Sequence, residues 1–189
     1  MGIENDLSSL VHYFFREYLP THKGSSPNTV ESYRETFKLF LPWIFQNKSA
    51  KTITVGEIKP ADILSFLKFL EEDRSNSART RNARLAGIKT FFSMCYLKCA
   101  TDKRALEAIQ FIPMKKYNRP LLDFFDHDDV LRILISIDRS RASGVRDYLV
   151  LNLLYDTGMR ASELANLRLQ GLTGRARHLK FLARVTSGE

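Results

Sequence analysis

Apolar positions recur at helical spacing along most of this chain. In residues 7–19, Leu7, Leu10, Val11, Phe14, Phe15 and Tyr18 share one stripe, with Asn5 or Asp6 as the cap and Pro20 as the stop. Ser26-Pro27 opens a second helix, a cap followed by proline in the first turn. Its stripe is Val30, Tyr33, Phe37, Phe40, Leu41 and Ile44, and Pro42 inside that pattern predicts a kink or break. Residues 48–59 read as a loop with a short extended piece at 52–55. Pro60 starts a third helix that turns Ile63, Leu64, Phe66, Leu67 and Leu70 inward and runs out in Glu71-Glu72-Asp73-Arg74. A fourth helix, about 78–99, carries Leu85, Ile88, Phe92, Cys95 and Cys99; traced backwards, that stripe arrives at Arg81. A short fifth helix is predicted over 101–111, before Pro113. Two more follow. One spans 124–136, capped near Asp126, with Val130, Leu131, Ile133 and Leu134 inside. The other, 145–156, is so apolar that burial is expected. The pattern predicts a mainly α protein.

Composition sharpens this picture. The 189 residues are 44% hydrophobic, with 13 Phe and 7 Tyr, enough to build real cores. No apolar run reaches membrane-spanning length, and Met1-Gly2-Ile3-Glu4-Asn5-Asp6 is not a secretory leader. No membrane partner is expected, and a cytoplasmic location is the default. Cys95 and Cys99 lack the further ligands of a metal site and read as core thiols. Neither a metal nor a nucleotide cofactor is expected, since no phosphate-cradling glycine loop or ligand cluster is visible.

Charge points to a partner. The formal net charge is +8, and residues 74–104 hold eight Lys and Arg (Arg74, Arg79, Arg81, Arg84, Lys89, Lys98, Lys103 and Arg104) against Asp102 alone. Such clustering is the footprint of a polyanion-binding face, although a solvated basic face would have the same composition. Arg79, Arg81 and Arg84 fall where the apolar face of the fourth helix runs out, so this end is expected to lie on a nucleic-acid backbone, with Lys89 further along it. Between Pro113 and Pro120 a basic, polar stretch has little to bury and reads as a linker. Its Lys115, Lys116 and Arg119 could follow phosphates or simply be solvated. The expected organisation is a domain at 1–112, the linker at 113–120, a second unit at 121–170 and a tail at 171–189.

The second unit turns on Thr157-Gly158-Met159-Arg160-Ala161-Ser162-Glu163-Leu164. Gly158 suits the left-handed position that ends a helix. A new helix starts at once, with Ser162 or Thr157 as candidate cap and Glu163 in its first turn. Arg160 is thereby placed at a helix start, where a planar guanidinium suits two phosphate oxygens. By local chemistry alone an ordinary surface arginine after a turn is the simpler reading.

This box resembles the first catalytic-arginine motif of the tyrosine recombinases, the phage integrase family. Ser26-Pro27-Asn28-Thr29-Val30-Glu31-Ser32-Tyr33, the stretch Arg79 to Ile88, and Arg146-Asp147 resemble other parts of the same pattern. The resemblance implies a helical, SAM-like core-binding domain that clamps duplex DNA, joined to a partial, mostly helical catalytic domain. It also implies that Arg160 grips the scissile phosphate and that Glu163 supports it.

Past Leu169 the residue-by-residue agreement is expected to fail. Gly171 stands where the pattern has an acid, Lys180 lacks a hairpin context, and His178 lacks the following arginine. No tyrosine follows Tyr155, so neither the nucleophile nor the second arginine is identified. The expectation is a DNA-binding protein of DNA integration and recombination, truncated and unable to cleave a strand alone. Its partners would be double-stranded DNA and full-length recombinase protomers. The alternative is a dominant-negative regulator or a protein-interaction remnant of a recombinase. The tail is expected to pack poorly.

Overall fold

The computed structural model describes residues 5–99, 103–118 and 123–167. The chain divides into two compact units, Met1–Arg119 and Pro120–Glu189.

The first unit is built from five α-helices: α1 (Leu7–Tyr13), α2 (Pro27–Lys48), α3 (Pro60–Glu72), α4 (Ala78–Lys98) and α5 (Lys103–Gln110). Capping follows the sequence closely. Asp6, Ser26 and Ser77 each accept a backbone N–H three residues on, from Ser9, Thr29 and Thr80. Residues 52–55 do pair. Leu7 N–H donates to Ile53 O and Val55 N–H to Asn5 O, both at 2.9 Å, which ties the start of α1 to the loop before α3.

Two prolines behave differently from expectation. Pro20 does not end the first helix. The chain passes directly from α1 into a π-helical stretch, Phe14–His22, that contains it. The wider turn moves the carbonyl that a proline ring would strike in an α-helix. Nor does Pro42 break α2, which continues to Lys48. An interior proline costs about 3 kcal/mol. The buried side chains Phe37, Phe40 and Ile44 of the same helix each contribute about 1.5–3 kcal/mol, so packing outweighs the break.

The core of this unit is aromatic. The Phe14 ring lies 5.1–6.3 Å from those of Phe15, Tyr18, Tyr33, Phe37 and Phe91. Gly87 lets α4 approach Tyr33, since a Cβ there would stand 2.8 Å from its ring. Cys95 and Cys99 are free and buried, and burial pushes both thiols up.

The second unit contains α6 (His127–Ser136), α7 (Ala142–Thr157) and α8 (Ala161–Ala165). Asp126 caps α6 by accepting Asp129 N–H at 2.8 Å. The expected burial of α7 does not occur. Among the described residues of this unit only Leu134 is buried, and α7 buries none of its side chains. Leu131 and Ile133, expected inside, are 40% exposed. The three helices among its described residues, of 10, 16 and 5 residues, are too few to cover the whole circumference of an apolar helix.

Among the described residues no helix is long and apolar enough to cross a membrane.

Candidate nucleic-acid interface

The arginine box of the second unit is assembled locally. α7 ends at Gly158 with φ +64°, and the Gly158 N–H donates to Leu154 O at 2.9 Å. Thr157 does not cap α8: its hydroxyl donates to Leu153 O and accepts Met159 N–H. Ser162 lies inside the helix, and Arg160 itself occupies the cap position. Glu163 satisfies it from within the first turn. Its carboxylate accepts Arg160 N–H at 2.7 Å and Arg160 Nη1 at 2.9 Å. The backbone bond first, and the guanidinium second, hold the Glu163 carboxyl below the usual range. The Arg160 side chain is 82% exposed. One carboxylate therefore fixes both the backbone and the head group of an open arginine.

In the first unit the basic start of α4 is not a uniform edge. Arg81 is only 8% exposed: the apolar stripe that reaches it continues onto it as a buried residue. Its Nη1 donates to Pro113 O at 3.2 Å and to Asn82 Oδ1 at 3.1 Å, and its Nε lies 3.9 Å from Glu71. Arg84 is half-buried and donates to Glu35 O at 3.3 Å. Lys89 donates to Gln110 O at 2.7 Å, and Gln110 Nε2 returns a bond to Lys89 O at 2.9 Å. Desolvation is the main cause that lowers the pKa of both Arg84 and Lys89. Lys115 pairs with Glu71 at 2.7 Å. Arg79 and Lys116 are exposed and make no ion pair among the described residues. They line one open cleft of about 780 Å³ with Asn82, Met114, Tyr117 and Asn118. Arg119 lies outside the described residues, as do Gly171, His178, Lys180 and the tail.

The basic start of α4 therefore holds two kinds of cation, those engaged by protein acceptors and those left open. Sequence reasoning missed Glu71 and Asn82. Glu71 sits in an acidic run that reads as a solvated helix end, and nothing local signals a lysine 44 residues away.

The description "Phage integrase, N-terminal SAM-like domain" matches residues 7–98, and "Phage integrase family" matches residues 123–187. The chain belongs to the phage integrase family of tyrosine recombinases. The first match covers α1 to α4, and the second covers α6, α7 and the arginine box. The second also runs to residue 187, so the likeness does not stop at Leu169 as the motif reading expected.

Similar proteins carry the same kind of name. The y4rC protein of Sinorhizobium fredii, named as an integrase/recombinase, is 32% identical over 181 residues, covering 94% of this chain and 54% of that protein. Tyrosine recombinase XerD of Oceanobacillus iheyensis is 30% identical over 158 residues, 84% of this chain and 51% of that one. Tyrosine recombinase XerD of Listeria monocytogenes is 28% identical over 176 residues, 93% and 56% respectively. The chain spans about half the length of these relatives.

Proposed function

We propose that this chain binds duplex DNA in DNA integration or recombination, gripping the phosphate backbone with the first unit and presenting Arg160 to a phosphate from the second. The observation that carries the reading is the cleft at the start of α4, where Arg79 and Lys116 face solvent side by side while the neighbouring cations are taken up by protein acceptors. A phosphate is met most readily by cations whose N–H donors are uncommitted, and these two make no ion pair among the described residues.

Arg160 has the chemistry for a phosphate contact in the second unit. Glu163 orients its guanidinium, which leaves other N–H donors of the planar fork open for phosphate oxygens. Cleavage in this family proceeds through a tyrosine nucleophile. Within these 189 residues no tyrosine follows Tyr155, and the Tyr155 hydroxyl lies 2.7 Å from His127 Nδ1. We therefore infer binding without strand cleavage by these residues alone, with competition against an intact recombinase as the consequence.

The test is binding to random-sequence duplex across a salt series. Log affinity should fall linearly with log salt, with a slope near −0.9 for each phosphate contact. Arg79→Ala with Lys116→Ala should remove about 1.8 of that slope, whereas Arg84→Ala should remove little. Absence of binding at low salt would sink the reading. A covalent protein–DNA adduct formed by this chain would overturn the inference of binding without cleavage.

A further inference from the structure

The backbone of residues 113–115 lies against the start of α4 and is held there by side chains. Asn82 Nδ2 donates to Lys115 O at 2.7 Å, and Asn82 Oδ1 accepts Lys115 N–H at 2.9 Å. One amide side chain thus satisfies both main-chain groups of a single residue, as a paired strand would. Arg81 holds Pro113 O from the same helix, and Glu71 on α3 holds the Lys115 ammonium. Upstream, the reciprocal Lys89–Gln110 bonds and buried Ile112 anchor the chain as it leaves α5. The stretch read from sequence as a linker is therefore docked as far as Lys115.

We propose that Asn82 is a positioning residue for nucleic-acid binding: by clasping Lys115 it sets Lys116 beside Arg79 across one cleft. The proposal rests on the DNA-binding reading and deepens it, because it makes an uncharged residue a determinant of phosphate contact. The logic is one of reach. A lysine on an unheld segment samples many positions and loses entropy when it meets a phosphate. The same lysine one residue beyond a doubly hydrogen-bonded backbone starts near its target.

The experiment uses the full chain, with Asn82→Ala and Asn82→Asp as variants. Alanine removes both bonds, whereas aspartate keeps the acceptor for Lys115 N–H. Position 82 lies in the first turns of a helix, where alanine is the best helix former. Amide hydrogen exchange is read first, without DNA. In Asn82→Ala the Lys115 amide should exchange on the order of tenfold faster or more, the factor expected from losing two ordinary hydrogen bonds. Leu85 and Ile88 amides should stay unchanged, and Asn82→Asp should fall between.

Duplex affinity should then drop roughly three- to tenfold in Asn82→Ala, with the salt slope shallower by about 0.9, one contact's worth. An unchanged Lys115 amide overturns the clasp. So does a rise shared by Leu85 and Ile88, which would report unfolding of α4. Unchanged affinity and slope in Asn82→Ala overturn the positioning role. Binding by the unaltered chain tests the functional reading by itself, so the two failures are told apart.

Discussion

The two units of this chain use similar apolar helices and bury them very differently. In the first, α1 to α5 and the π-helical stretch surround a continuous core from Leu7 to Ile112, with Phe14, Phe37, Phe40, Phe66, Phe91 and Phe92 fully enclosed. In the second, α7 carries Leu149, Val150, Leu151, Leu153 and Leu154 and has no buried side chain. Phe124, Phe125 and Ile135 are 89%, 72% and 77% exposed. Amphipathic pattern alone does not bury a helix. Burial needs neighbours on every apolar side, and the first unit has a second layer where the described part of the second does not. The candidate sites follow this difference: the cleft of the first unit rests on a packed scaffold, while the arginine box of the second is held by hydrogen bonds between adjacent residues.

The largest expected effect breaks the first unit at its centre. Phe14→Ala should cost about 3–5 kcal/mol, a large share of a typical total stability of roughly 5–15 kcal/mol. Urea or thermal unfolding reads it, and a shift of less than about 1 kcal/mol would mean that the aromatic cluster is not the keystone of the unit.

Gly87→Ala comes next. The added methyl must displace the Tyr33 ring. Overpacking costs about 1–3 kcal/mol, and alanine returns up to about 1 kcal/mol of helix propensity. A net loss of about 1 kcal/mol is expected by the same unfolding measurement. A stabilised variant would show that α2 and α4 can part without cost.

Leu151→Ala is the matching change in the second unit. At a residue 40% exposed, the loss should stay below about 0.5 kcal/mol. A loss of 2 kcal/mol or more, the range of a core leucine, would erase the contrast between the units.

The smallest effect concerns the arginine box. Arg160 lowers the folded-state pKa of Glu163, so their contact is fully present above the ordinary glutamate value and is lost as pH falls through the lowered one. NMR titration of the Glu163 carboxyl and the Arg160 amide should give one common midpoint below about 4.3. A midpoint at or above that value would mean that Glu163 does not hold the arginine.

Much of this was readable before any coordinates. Ser26, Asp126 and Gly158 announced helix ends because capping is settled within a few residues. The stripe of α4 pointed to Arg81 because spacing on a helix is fixed geometry. Glu163 was legible as a first-turn residue of the helix after Gly158, its support of Arg160 was implied by the family resemblance, and both of its bonds to Arg160 span one turn.

The rest depended on contacts between distant residues. Whether Pro20 and Pro42 stop their helices was decided by a widened turn in one case and by buried phenylalanines in the other. Which cations are engaged by the protein itself was decided by acceptors far along the chain: Glu35 O for Arg84, Gln110 O for Lys89, Glu71 for Lys115. The amino-acid sequence by itself determined where α2 and α6 are capped, that the chain is basic, and which arginine stands at the turn, because those are local properties of composition and spacing. Only the tertiary structure decided that Arg81 is buried, that Lys115 is clasped and that Arg79 and Lys116 stay open. Burial and neutralisation depend on what else arrives at the same place.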